Sequence, residues 1–160
     1  MRFTLIKDLK KDSSIKPMLN GLLVFMLLYF AAEVFVDSSN FGLFYEQVKF
    51  TLFGNEENFL EPISEASFLE YIHTKIFFMM MILLTLSAIF IRLTANDTLK
   101  LFCLNSVMTS ALIMLIALTL SYYIHPFFVY IYLVTYYLWH LCAFYMVIYS
   151  LWSLNFAKSL

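Results

Sequence analysis

The chain has 160 residues, 62% hydrophobic and 13% charged, with a mean hydropathy of +0.83; its apolar runs of roughly 19 to 28 residues suffice to cross a bilayer, which excludes a water-soluble domain. A formal net charge of -1 gives no basic field for a nucleic acid, and Gly21, Gly42 and Gly54 stand apart, so no glycine-rich loop cradles a nucleotide phosphate. Cys103 and Cys142 both lie inside apolar runs, which excludes a secreted disulfide framework and a cysteine-rich zinc site.

The chain opens on a basic tail, Arg2, Lys7, Lys10, Lys11 and Lys16, followed by an apolar run over 18–36. The length of that run, the extended basic region and the lack of a clear cleavage site after Ala31 and Ala32 read as a retained crossing, not a cleaved signal peptide. Residues 37–70 form the long loop, expected on the external side. Within it the polar run Asp37, Ser38, Ser39, Asn40 offers helix N-caps, and Phe41, Phe44, Tyr45, Val48 and Leu52 then recur at helical spacing. This predicts an amphipathic helix that ends at Gly54 and lies on the membrane surface or over the bundle. Pro62 breaks the chain, and Ser64 is placed to cap a helix that carries Glu65 in its first turn and runs on into the second crossing.

Crossings are expected at about 18–36, 72–93, 101–124 and 126–152, each long enough at 1.5 Å rise per residue for a core of about 30 Å. The unbroken run over 77–86 lacks the alternation of a membrane β-barrel. The fold class is therefore all-α: one four-helix, up-down transmembrane bundle spanning residues 1–160. His125 precedes Pro126, so the last two crossings turn as a hairpin near 122–126. The basic tail, Arg92, Lys100 and Lys158 fall on one side and only Lys49 and Lys75 on the other, which places both termini in the cytoplasm of a bacterial cytoplasmic (inner) membrane.

Counting residues from the helix ends places Glu33, Glu70, His73 and His125 in one layer near the external face. A carboxylate such as Glu33 inside an apolar run demands a partner or a role. Glu70 and His73 have the spacing by which helix bundles hold carboxylate-bridged metals, although a di-metal site needs two such copies. A single ion on His73, His125 and a glutamate, or a b-type haem between His73 and His125, would use the same layer. The plainer reading pairs Glu33 with Lys75 and leaves Glu70 and both histidines to water and interfacial hydrogen bonds.

His140, fourteen residues after Pro126, falls about 21 Å below the external end by this count. That excludes a site shared with His73 and leaves no titratable neighbour at its depth. Its expected partners are Asn105, Ser106, Thr109 or Ser110 on the third crossing. The aromatic residues of the last crossing read as interfacial belts and core filling, and Met79, Met80 and Met81 diverge around a helix and cannot ligate together. Two function classes survive: a small integral membrane protein without a catalytic motif, serving as an accessory or assembly component beside other membrane subunits, or a membrane redox protein with an external metal ion or b-type haem.

Overall fold

The computed structural model describes residues 14–156, Glu57 without its side chain. Arg2, Lys7, Lys10, Lys11 and Lys158, on which much of the orientation argument rests, lie outside the described residues. Five α-helices follow in order: α1 (Ile15–Asn40), α2 (Tyr45–Phe53), α3 (Glu65–Leu93), α4 (Asp97–Tyr123) and α5 (Phe128–Asn155). All but α2 are long and apolar enough to cross a membrane. The protein is an integral membrane protein with an all-α bundle of four candidate transmembrane helices in lipid contact, and α2 is the amphipathic helix of the long loop.

Helix α5 is the hub, packed against α4 along most of its length and against α1, α3 and α2. Its Val129, Tyr132, Tyr136, Trp139, Ala143, Met146 and Val147 recur at three- and four-residue steps, and all are buried. Phe30 of α1 packs against Trp139 and Phe144 at 5.4 and 5.3 Å between ring centroids. Lipid-directed apolar side chains such as Phe25, Leu84, Leu112 and Leu141 remain exposed on the outer faces. Reciprocal amide bonds between Asn20 and Asn155, at 3.1 and 2.8 Å, and a bond from the Ser153 hydroxyl to the Leu93 carbonyl tie α5 to α1 and α3 at the end away from α2.

Two helix boundaries differ from the sequence expectation for one reason. The run Asp37 to Asn40 is the last turn of α1 and does not cap the amphipathic helix, because the Asp37 side chain is held inside the bundle and carries the helix with it. The chain then turns at Gly42, whose φ is +85° and where a Cβ would lie 2.2 Å from the Cβ of Gln47. Gln47 folds back so that its Oε1 accepts from the Leu43 amide at 3.0 Å, starting α2 at Tyr45. Val48 and Leu52 are buried and Tyr45 stacks on Tyr130 of α5 at 4.1 Å, whereas Phe44 projects outward. Gly54 ends α2 and the Ser64 side chain caps α3, as the sequence predicts.

Candidate functional site: a buried charge cluster

Three helices each present polar groups at four-residue steps, which places them on one face. α1 brings Glu33 and Asp37, α3 brings Tyr71 and Lys75, and α5 brings Tyr132, Tyr136 and His140. Glu33 is 8% exposed, Asp37 2%, Lys75 6% and His140 6%.

The Lys75 ammonium is the centre of the cluster, 2.5 Å from Asp37 Oδ2 and 3.0 Å from Glu33 Oε1. The rings of Tyr71 and Tyr136 flank it, their centroids 5.5 and 5.4 Å from Nζ, within cation–π range. The Tyr71 hydroxyl donates to Asp37 Oδ1 at 2.9 Å. On the far side of Glu33, Oε2 lies 3.6 Å from His140 Nε2. His140 Nδ1 lies 2.9 Å from the Tyr136 carbonyl, which can only accept, so Nδ1 carries a hydrogen. Tyr71, Asp37, Lys75, Glu33 and His140 thus form a continuous polar array across the bundle. A cleft of about 230 Å³ reaches it between α1 and α3, lined by Tyr29, Glu33, Asp37, Tyr71, Lys75 and Phe78.

Each buried ion carries a desolvation cost of several kcal/mol, which only close, well-placed opposite charges offset. Lys75 meets that condition for both carboxylates. Ligand atoms of Glu33, Asp37 and His140 also lie within 4.8 Å of one another, the spacing of a three-ligand cation site.

Glu33 turns inward and its charge meets Lys75, as expected. Glu70, His73 and His125 do not join it. Glu70 and His73 are exposed on α3, where His73 stands roughly 200° around the helix from Lys75. His125 is exposed in the α4–α5 turn, its Nδ1 accepting from the Phe127 amide at 3.1 Å. The expected partners of His140 also differ: it contacts Tyr136 and Glu33, while the Ser110 hydroxyl donates to the Val107 carbonyl.

The absence of titratable neighbours around His140 is overturned in the same way. A count from Pro126 places it too deep, because the first turns of α5 stand beyond the end of α1 alongside α2. The Tyr137 hydroxyl donates to the Leu43 carbonyl at 2.7 Å, which brings Tyr136 and His140 level with Asp37 and Glu33. Asp37, Tyr71 and His140 were missed as a group, yet their four-residue steps are visible in the sequence.

Residues 42–159 match the Aq_1264_TM family, described as a transmembrane helical domain. The chain belongs to this family. The family match begins after α1, so it includes Lys75 and His140 but not Glu33 or Asp37. No curated protein and no solved structure matches the chain.

Proposed function

We propose that the chain is a non-catalytic accessory or assembly component of a larger membrane complex, its termini in the cytoplasm and its α2 end outside a bacterial cytoplasmic membrane. The observation that carries this reading is Phe59. Its side chain is 95% exposed, more than any other large apolar side chain among the described residues. It sits in the loop between α2 and α3, at a φ of +52° that costs a bulky residue about 1–2 kcal/mol. Paired backbone bonds between Asn55 and Leu60, at 2.9 and 3.0 Å, hold that conformation. Glu56 and Glu61 are exposed on either side, which disfavours seating the ring on an anionic lipid surface. An apolar pocket with a basic rim on a neighbouring subunit fits the ring and the carboxylates together.

The test is a benzoylphenylalanine crosslinker at position 59 in native membranes. A discrete protein adduct that is lost when the probe moves to Lys49 supports the reading, and lipid adducts alone overturn it. A second reading, a membrane protein binding a metal ion, draws support from the convergence of Glu33, Asp37 and His140. Stoichiometric metal in purified protein would favour it, and a Soret band would favour the haem version on His73 and His125.

A further inference from the structure

Inside the spanning helices, the hydroxyls of Thr85, Ser110, Thr119, Ser121 and Thr135 donate to carbonyls of their own helices, and Asn20 and Asn155 bond each other amide to amide. Two residues of α4 depart from this pattern. Asn105 and Thr109 are exposed, and neither side chain has a hydrogen-bond partner among the described residues. Asn105 lies about 7.5 Å inside Lys100, which pairs with Asp97 at the end of the bundle away from α2, and Thr109 lies about 6 Å deeper.

Both belong to one stripe. Leu101, Asn105, Thr109, Leu112 and Ile116 recur at steps of three and four residues, span about 80° of the helix circumference and are all exposed. The neighbouring helix leaves the stripe open: its edge at Met108 and Leu112 borders a groove of about 720 Å³ between α3 and α4. Lipid tails carry no donor or acceptor, so against lipid alone the Asn105 carboxamide is left unpaired in hydrocarbon, a costly state.

A carboxamide is its own complement, with donors on nitrogen and an acceptor on oxygen. Two copies inserted the same way round hold Asn105 at one depth, and a two-fold axis along the membrane normal brings the residue to face itself. A chain of different sequence would need a polar group at that depth, whereas a second copy carries one by symmetry. The Asn20–Asn155 pair, at 3.1 and 2.8 Å, already joins two helices of this protein by the same chemistry. We propose that the chain forms a parallel homodimer through α4, held by reciprocal amide bonds between the two copies of Asn105, with Thr109 one turn deeper in the same interface. The contact does not rest on the accessory role proposed above, and it leaves Phe59, in the loop between α2 and α3 at the opposite end of the bundle, open to a different subunit.

Cysteine crosslinking of the full chain in native membranes tests this, in a background lacking Cys103 and Cys142. Under copper phenanthroline, Leu112→Cys should form a disulfide-linked dimer, and Leu28→Cys, on α1 and as exposed as Leu112, should not. Energy transfer between donor- and acceptor-labelled copies in liposomes, over a range of protein-to-lipid ratios, gives the affinity. Asn105→Leu should weaken association about tenfold, the size of two interhelical hydrogen bonds, and Asn105→Gln, which keeps the amide, should retain most of it. Because Asn105 has no polar partner in its own chain, both variants should keep the wild-type emission of buried Trp139, which shows that the fold is intact. A wild-type protein that stays monomeric overturns the proposal. So does a dimer whose affinity Asn105→Leu leaves unchanged, or a cysteine at position 112 that crosslinks only to a different protein.

Discussion

Replacing Lys75 by methionine keeps most of the side-chain volume and removes the ammonium. The structure sets the consequence: Nζ makes two contacts, at 2.5 Å to Asp37 and 3.0 Å to Glu33, with 5% of the side chain exposed. One hydrogen bond between charged groups, to Asp37, and a second close ion pair, to Glu33, are lost together, and deleting one member of a buried ion cluster costs about 3–5 kcal/mol. Glu33→Gln leaves Lys75 on Asp37 and should cost about 1.5–3 kcal/mol. A Glu33–Lys75 pair standing alone would be repaired by replacing both residues. Here Asp37 would stay buried without a cation, so the double variant Glu33→Gln, Lys75→Met should remain destabilised. Adding Asp37→Asn should return stability to within about 1 kcal/mol of wild type, as for buried ion groups replaced whole. Reversible detergent-induced unfolding reads this out through the buried Trp139, with the exposed Trp152 changed to phenylalanine. A Lys75→Met protein as stable as wild type, or a double variant as stable as the triple one, would refute the account.

Reporter fusions test the orientation: alkaline phosphatase should be inactive after Leu160 and active when inserted at Asn55, and the reverse pattern would invert the protein. The packing of α2 predicts a labelling contrast. In a background lacking Cys103 and Cys142, a cysteine at exposed Glu46 should react quickly with a membrane-impermeant thiol reagent, and one at fully buried Val48 should not. Equal rapid reaction would mean that α2 is not docked on α5.

Much of the architecture is legible because long apolar runs, Ser64, Pro62, Gly54 and the His125–Pro126 turn are local signals. The inward turn of Glu33 toward Lys75 is legible too, since an isolated carboxylate among apolar residues calls for a cation. Asp37 is not legible as part of that site because its neighbours Ser38, Ser39 and Asn40 look like a loop, and only the tertiary contacts with Tyr71 and Lys75 make the position helical and buried. Residue counting misplaces His140 because it assumes that all helices begin at one plane. Helix α5 begins well beyond the end of α1, a stagger that depends on how α2 folds back against Tyr130 and Tyr137. That Glu70, His73 and His125 stand apart from the Lys75 cluster is not legible, because sequence gives depth along a helix more readily than direction around it.

The charge cluster also constrains the order of events during synthesis. Glu33 and Asp37 leave the ribosome before their cation, with 38 positions separating Asp37 from Lys75. At about 5–20 residues per second, α1 waits roughly 2–8 s with both acids uncompensated. Each carries an insertion penalty of up to about 2.5–3.5 kcal/mol at the centre of a helix. Helix α1 is therefore poorly suited to enter lipid alone and gains its counter-charge only as α3 arrives. Its stable integration is a cooperative event shared with α3 and completed when α5, made after both, closes over them.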